Sequence, residues 1–148
     1  MEIVLARNNM LYEGAKLLSE EYFSSLANAA AYLKKKIARR ECFLAVDKSK
    51  VVGLLVYSRD YSHDANYVEY LLVLGSHRRE GIANNLLRKY IEVSRKEQPK
   101  KQKYALSSAV SSNAASIKMH KKFGFVELGR VKKLHYGSDE IIFGYKLR

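Results

Sequence analysis

The sequence is poor in the residues that build disulfides and rigid turns. Its 148 residues include one cysteine, one proline and no tryptophan. A single cysteine cannot form an internal disulfide, and Cys42 lies in the apolar run Cys42–Val46, where a small buried thiol is the expected state. The absence of a possible disulfide fits a reducing compartment and predicts a cytoplasmic protein.

Long apolar runs are also missing. The longest apolar stretches, such as Leu71–Leu74, are too short to cross a bilayer, and the N-terminus lacks the basic and then apolar layout of a signal peptide. No repeat, low-complexity tract or Pro/Gly/Ser-rich linker interrupts the chain. The sequence therefore predicts a single domain over residues 1–148, with no membrane partner and no export signal.

Acidic residues are scarce in the second half of the chain. The net charge is +12, and residues 1–75 contribute +1 of it while residues 76–148 contribute +11. Such an excess suits a polyanionic partner: nucleic acid, an acidic protein or a phosphorylated cofactor. The alternative is that most of these lysines only solvate exposed helix ends and turns.

Hydrophobic periodicity predicts strands and helices in the order βααβββαβαββ. The predicted strands are Glu2–Arg7, Cys42–Val46, Val51–Tyr57, Tyr67–Leu74, Tyr104–Val110, Phe125–Lys133 and Glu140–Leu147. The predicted helices are Leu11–Tyr22, Leu26–Ile37, Gly81–Glu97 and a fourth that Ser112 and Asn113 cap and that runs to Phe123. This alternation predicts an α/β fold in which at least some neighbouring strands run parallel.

The most informative segment joins a strand, a basic loop and the start of a helix, and it reads Leu71-Leu72-Val73-Leu74-Gly75-Ser76-His77-Arg78-Arg79-Glu80-Gly81-Ile82-Ala83. Backbone N–H groups at a helix start lack partners and carry the positive end of the helix dipole. Gly81 and the small Ala83 allow close approach of phosphate oxygens, and Arg78 and Arg79 add charge. Taken alone, the pattern fits a phosphate-binding loop or a solvated basic connection equally well.

Two motifs carry a family resemblance. Arg78-x-x-Gly81-x-Ala83 resembles the pyrophosphate loop of the GNAT N-acetyltransferase superfamily, which reads arginine or glutamine and then x-x-G-x-G/A. The family's second signature is an asparagine after the fifth strand and a helix that ends in Gly-Phe, and it is similar to Asn113, Met119, His120, Gly124 and Phe125. The resemblance implies a GNAT-like mixed central sheet of six to seven strands, flanked by about four helices.

The resemblance also implies that coenzyme A binds here, with acetyl-CoA as the acetyl-donor substrate. Backbone groups of Leu71, Leu72 and Val73 would pair with the pantetheine arm like an added strand, although a plain buried strand explains them too. Asn113 would contact the arm near the thioester, which is compatible with a helix cap. The main chain of the loop would wrap the pyrophosphate, with Arg78 at its entry and then Arg79, Glu80, Gly81, Ile82, Ala83 and Asn84.

Acetyl transfer needs a neutral amine as nucleophile, so a group must remove the proton of the amine. Glu69 lies nine positions before Arg78, where the resemblance implies a catalytic acidic residue that acts directly or through water. The alternative is an outward-facing or salt-bridged carboxylate. Ser108 occupies a fifth-strand position where some relatives place a glutamate, and a serine cannot serve as that base.

The departing thiolate benefits from a nearby donor. His120 stands where the family usually has a tyrosine that protonates or hydrogen-bonds the leaving sulfur, and histidine, with a reference pKa of about 6.5, can do either. The alternative is a helix-surface histidine between Lys118 and Lys121. The other histidines (His63, His77 and His135) have no partners at metal-ligand spacing, so we predict no metal.

These observations favour an acetyl-CoA-dependent N-acetyltransferase. It would move the acetyl group to a primary amine by direct attack in a ternary complex, and the amine could be a protein N-terminus, a lysine or a small molecule. Tyrosines that could line the acceptor cleft, or could equally sit in half-buried strands, are Tyr57, Tyr61, Tyr67 and Tyr70. The alternatives are a basic nucleic-acid-binding domain and a non-catalytic acyl-CoA-binding domain. The sequence leaves the acceptor open, and also whether the protein is a monomer or a homodimer.

Overall fold

Seven strands and four helices follow one another in the predicted order in the computed structural model, which describes all 148 residues. The strands are β1 (Glu2–Leu5), β2 (Cys42–Asp47), β3 (Lys50–Ser62), β4 (Ala65–Val73), β5 (Tyr104–Val110), β6 (Val126–His135) and β7 (Ser138–Lys146). The helices are α1 (Leu11–Glu21), α2 (Leu26–Ala38), α3 (Ile82–Glu97) and α4 (Ala114–Phe123). Short 3-10 turns lie at Asn8–Met10 and Gly75–His77. None of the helices has the length and apolar character needed to cross a membrane.

The strands form one mixed sheet in the order β1-β2-β3-β4-β5-β7-β6. β4 and β5 run parallel and are in register at Tyr67 and Leu106. The pairs β1–β2, β2–β3, β5–β7 and β6–β7 are antiparallel. The predicted α/β class, with a seven-stranded mixed sheet and four helices, is therefore confirmed.

Three hairpins close through two-residue turns in which both residues have positive φ, the turn whose twist matches that of the strands. These turns are Lys48–Ser49, His63–Asp64 and Tyr136–Gly137. The first and third of them lie in the short gaps between predicted strands, after Val46 and after Lys133. The second was not predicted, and the third strand was predicted to end at Tyr57, because residues 58–64 are mostly polar and lack the apolar pattern of a strand. In the structure β3 extends to Ser62.

The chain divides into two compact units. The first comprises Met1–Ser58 with Glu69–Tyr90, and the second comprises Arg59–Val68 with Ile91–Arg148. The sequence-based prediction of a single domain stays a prediction.

In the first unit, α1 and α2 pack their apolar faces together with β2 and β3. Leu18, Leu33, Leu44 and Leu54 are completely buried in this core. Gly14 permits the close approach of α1 to α2, since a Cβ at this position would lie 2.8 Å from the Leu33 Cδ2 atom. The faces predicted from the periodicity are thus the faces that the two helices bury.

In the second unit, β5 and β7 line the core with alternating residues. Ala105, Ser107 and Ala109 of β5 are buried, as are Ile141 and Phe143 of β7. This alternation is the period-two pattern of a strand with one buried face.

Candidate active site

The loop between β4 and α3 ends in a row of backbone donors. The first bond of α3 runs from the Asn85 N–H to the Gly81 carbonyl oxygen at 3.1 Å. The N–H groups of Ile82, Ala83 and Asn84 precede that bond and have no acceptor within the helix. Gly81 has no side chain that could cap them. Three donors at the positive end of a 16-residue helix suit an anionic oxygen such as that of a pyrophosphate.

The backbone of this loop needs glycine at position 81 for its conformation. Gly81 has a φ of +79°, and a Cβ there would meet no atom within 4 Å. Arg79 also lies in the left-handed region, with a φ of +63°. A side chain at position 81 would therefore strain the backbone rather than clash, at a cost of about 1 kcal/mol or more.

Arg78 stands at the entrance of the loop as the sequence predicted. Its side chain is 63% exposed, with Nη2 3.7 Å from a Glu21 carboxylate oxygen. Its Nε donates to the Val73 carbonyl oxygen at 3.4 Å. Both contacts are long, so most of the guanidinium charge stays available to a ligand.

The strand before the loop is the last part of β4. Tyr67 of β4 is in register with Leu106 of β5, and β4 runs on to Val73. Leu72 is buried, whereas Leu71 and Val73 are half-buried. The three residues thus form a partly buried strand, and their role toward a pantetheine arm stays a prediction.

Glu69 lies in the middle of β4 and is held by three donors. Tyr32 and Ser58 each donate a short hydrogen bond, to Oε2 and Oε1 respectively. Lys36 Nζ lies 3.0 Å from Oε1, so the salt-bridged alternative describes this carboxylate correctly. The Glu69 side chain is nevertheless 24% exposed, which leaves it within reach of a ligand.

Lys36 is itself held by three further polar contacts. Its Nζ lies 2.9 Å from Glu41 Oε2, 2.7 Å from the Ser58 Oγ atom and 3.1 Å from the Tyr57 carbonyl oxygen. Glu41 is 1% exposed, and Lys36 and the Arg39 Nε at 3.1 Å both offset the charge of this buried carboxylate. Moving Lys36 away from Glu69 would therefore also take a cation away from Glu41.

The surroundings of Glu69 keep it ionised. Burial by itself would raise the pKa of the carboxyl, but hydrogen bonds from Ser58, Tyr32 and Lys36, with the Lys36 charge, lower it by more. Burial, and then the bond and the charge of Glu69, raise the pKa of Tyr32, which keeps that hydroxyl protonated as a donor. A carboxylate has about four lone-pair positions, and three are used, so one stays open on Oε2.

Aromatic rings surround this carboxylate on the first unit. Tyr32 contacts Phe23 and Tyr70, with ring centroids 5.1 and 5.5 Å away, and Tyr70 contacts Tyr22 at 5.0 Å. Tyr70 therefore belongs to the aromatic cluster beside Glu69, and its role in lining an acceptor cleft stays a prediction. Tyr57 cannot line a cleft, because it is completely buried between Phe43 and Tyr90.

His120 lies in the second unit and is buried. It is 3% exposed, and its ring stacks on Phe143 at 4.8 Å. The alternative of a helix-surface histidine is therefore wrong. The reason is that the residue faces the sheet, where Ser107 and Phe143 pack against it, rather than the solvent beside Lys118 and Lys121.

Both ring nitrogens of His120 are occupied. Nδ1 lies 2.8 Å from the Ser116 carbonyl oxygen, which can only accept, so Nδ1 carries the proton. Nε2 then accepts from the Ser107 hydroxyl at 2.7 Å. Burial lowers the pKa of His120, and the Ser116 bond offsets this only in part, so the ring is neutral near pH 7. Whether it protonates a leaving sulfur stays a prediction.

Asn113 caps α4 as the sequence predicted. Its Oδ1 accepts from the Ser116 N–H at 3.0 Å. The helix ends at Gly124, whose φ of +119° gives the left-handed C-cap. The cap is therefore present, and contact of Asn113 with a thioester stays a prediction.

Glu69 was predicted from the sequence, whereas its hydrogen-bond partners were not. Lys36 had a detectable signal, because it falls seven residues after Ala29 and one before Ile37 on the buried stripe of α2. Tyr32 lies one turn earlier on the same helix. Ser58 had no such signal, since its contact depends on the pairing of two strands. No group of three or more His, Cys, Asp or Glu side chains is arranged to hold a metal ion.

Comparison with known proteins gives two findings. Residues 11–125 match the model of the Acetyltransferase (GNAT) family. The chain also superposes on solved structures over nearly its whole length. A GNAT-family acetyltransferase from Bacillus cereus is 23% identical, with a TM-score of 0.83 over 98% of this chain and 96% of that one.

Two further structures show the same fold. Ribosomal-protein-alanine N-acetyltransferase from Brucella melitensis is 22% identical, with a TM-score of 0.82 over 99% of this chain and all of that one. An aminoglycoside 6'-N-acetyltransferase complexed with coenzyme A is 14% identical, with a TM-score of 0.83 over 100% and 98%. No curated protein sequence matches the chain. Since the family model spans well over half of the residues and the fold agrees, the protein belongs to the acetyltransferase (GNAT) family and uses acetyl-CoA as its acetyl donor.

Proposed function

We propose that the protein is an N-acetyltransferase that moves the acetyl group of acetyl-CoA to a primary amine in a ternary complex. The observation that carries the proposal is the Glu69 carboxylate, which is ionised, partly exposed and left with one open acceptor position. Two similar structures are named as N-acetyltransferases, one of a ribosomal-protein alanine and one of an aminoglycoside. Those names support an amine, rather than a hydroxyl, as the acceptor.

In the proposed reaction, the β4–α3 loop holds the donor. The N–H groups of Ile82, Ala83 and Asn84, with the exposed Arg78, bind the pyrophosphate oxygens, and the main chain of residues 71–73 aligns the pantetheine arm. Most of these contacts come from the backbone, so they depend on the loop conformation that Gly81 allows.

Glu69 orients the amine and receives its proton. The amine nitrogen attacks the thioester carbonyl carbon, the carbon–sulfur bond breaks, and the thiolate of coenzyme A leaves. The nitrogen must lose a proton for this to occur. The ionised Glu69 attracts the ammonium form of the amine by charge and takes its proton, directly or through a bridging water. The lowered pKa makes this carboxylate a weak base, so the reaction speeds up at higher pH, where more of the amine is already neutral. The family resemblance assigns the departing sulfur to His120 and the pantetheine arm near the thioester to Asn113. For His120 to reach the sulfur, its ring must first give up a bond to Ser107 or Ser116.

The cofactor site is tested by calorimetric titration with acetyl-CoA. We expect saturable one-to-one binding that Gly81→Val weakens about tenfold or more, because it distorts the loop. Gly129→Val is the matched control, since a Cβ at Gly129 also meets nothing within 4 Å and Gly129 lies outside the loop. Absence of binding at millimolar acetyl-CoA, with salt-sensitive binding of a short DNA duplex, would instead favour the nucleic-acid alternative.

The catalytic assignment is tested with Glu69→Gln. We expect a lower kcat that rises less with pH, with unchanged affinity for acetyl-CoA. Wild-type turnover in this variant would refute the role of Glu69. A wild-type protein that binds acetyl-CoA but acetylates no amine in a broad screen would be the non-catalytic alternative.

A further inference from the structure

The aromatic cluster beside Glu69 lies wholly in the first unit and consists of Tyr22, Phe23, Tyr32 and Tyr70. Tyr70 is its centre. The Tyr70 ring centroid lies 5.0 Å from that of Tyr22, 5.8 Å from that of Phe23 and 5.5 Å from that of Tyr32. The connection between α1 and α2, the helix α2 and the strand β4 thus supply rings to one place.

One end of the aromatic cluster is open to solvent, and the other end touches the carboxylate. Tyr22 is 55% exposed. The other three rings are half-buried and pack against the apolar core of the first unit. The Tyr32 hydroxyl donates to Glu69 Oε2, and the Glu69 side chain keeps 24% of its exposure. The rings therefore form a partly exposed apolar surface beside an ionised carboxylate, and a ligand can cover this surface without entering the core.

The chemistry of this surface suits one kind of amine. Aromatic rings offer large, rigid apolar area to a ligand, and a carboxylate attracts an ammonium group. A primary amine on an apolar arm satisfies both, with its nitrogen toward Glu69 and its arm over the rings. A second cation on the arm is disfavoured at the exposed end, because Arg78 Nη2 lies 3.7 Å from the carboxylate of Glu21, the residue before Tyr22.

We propose that the aromatic cluster is the specificity-determining surface of the acceptor site and selects a primary amine carried on an aliphatic or aromatic arm. Resting on the proposed function, this amine is the nucleophile that Glu69 attracts. Both an arylalkylamine and a peptide with an apolar N-terminal residue have this chemistry. Tyr22 has the most exposed ring of the four, so it contributes the most contact area to the arm.

Equilibrium binding tests the surface independently of turnover. The probe is 2-phenylethylamine, measured by calorimetry in the presence of coenzyme A, with ethanolamine as the reference because its arm is short and polar. We expect Tyr22→Ala to weaken binding of 2-phenylethylamine about tenfold, the effect of uncovering part of one ring, and to leave ethanolamine unchanged. Tyr22→Phe keeps the ring and should bind within about twofold of the wild type.

Tyr12→Ala is the matched control for the loss of an exposed tyrosine. Tyr12 is 65% exposed on the same helix, α1, and lies ten residues, or about 15 Å, before Tyr22. We expect this variant to bind 2-phenylethylamine like the wild type. Equal weakening in Tyr12→Ala and Tyr22→Ala, or no binding of 2-phenylethylamine to the wild type at millimolar concentration, would overturn the proposal.

Turnover separates this proposal from the proposed function. We expect kcat/KM for 2-phenylethylamine to exceed that for ethanolamine about tenfold or more, and Tyr22→Ala to reduce this ratio through KM with little change in kcat. A peptide with N-terminal phenylalanine, assayed in parallel, distinguishes the two sources of the chemistry. Acetylation of no amine, with binding weakened only in Tyr22→Ala, would overturn the proposed function and keep the surface. Equal kcat/KM for the two amines, or a preference for 1,4-diaminobutane, would overturn the surface and keep the proposed function.

Discussion

Removing the buried ammonium of Lys36 tests the electrostatic account of the candidate active site. Lys36→Met keeps the chain length and apolar stem but leaves Glu41 and Glu69 without their shared cation. Breaking a buried ion pair by deleting one partner costs about 3 to 5 kcal/mol. Arg39 Nε remains 3.1 Å from Glu41, and the Glu69 side chain is 24% exposed to solvent, so we expect the lower end of this range, about 3 kcal/mol. For a chain of this length, that lowers Tm by about 6 to 12 °C.

The cost should depend on pH in a defined direction. In the wild type, the lowered pKa of Glu69 contributes stability that is complete above the ordinary carboxyl range and is lost as the pH falls through the lowered value. Without Lys36, burial acts on Glu69 with fewer opposing donors, so the pKa of Glu69 rises. In mild acid this carboxyl is then protonated, which removes the cost of a charge without its cation. The difference in Tm between wild type and variant should therefore narrow from pH 7.5 to pH 4.5.

Thermal unfolding followed by circular dichroism measures both effects. The double variant Lys36→Met with Glu41→Gln serves as the control, because it also removes the buried charge that the single change leaves without its cation. We expect the double variant to recover about half or more of the lost stability. A Tm within about 2 °C of the wild type for Lys36→Met at pH 7.5 would refute the reasoning. So would a difference that stays constant down to pH 4.5.

Three other outcomes are expected. Burial lowers the pKa of His120, so the stability that its neutral ring contributes is complete above about pH 6.5 and is lost as the pH falls through the lowered pKa. His120→Phe should flatten that fall in Tm without changing the Kd of acetyl-CoA, and an equally steep fall contradicts this. Burial raises the pKa of the Cys42 thiol to about 12, so Ellman's reagent should label it only in denaturant, and rapid labelling of the native protein contradicts its burial. Tyr32→Phe removes one donor from Glu69 and should shift the acid limb of the kcat profile to higher pH, whereas an unmoved limb contradicts the role of that bond.

Local patterns in the sequence were enough to predict most of the fold. Helix faces such as Ala15 with Leu18 follow from the 3.6-residue period, and both residues are completely buried. Gly124 predicted the end of α4, because a left-handed C-cap favours glycine. These features are decided by contacts within a few residues of the chain. The His63–Asp64 hairpin was not predicted from the sequence, because neither residue is a glycine, although both adopt positive φ.

The candidate site likewise has a part that local sequence predicts and a part that depends on contacts between distant residues. The Arg78-x-x-Gly81-x-Ala83 spacing is a property of the chain itself, since a loop and the helix that follows it are contiguous. The partners of Glu69 come from 11 to 37 residues away. The carboxylate that meets Ser108 comes from Glu140, 32 residues further on.

Sequence by itself therefore determined the order of elements, the glycine turns and the acidic and basic positions that mark the family. Only the tertiary structure decided that Lys36 is buried between two carboxylates, that His120 is a neutral core residue, and that one oxygen of Glu140 lacks a donor. The physical reason is that strand register and helix docking fix which side chains meet, and both depend on the packing of the whole core rather than on any local pattern.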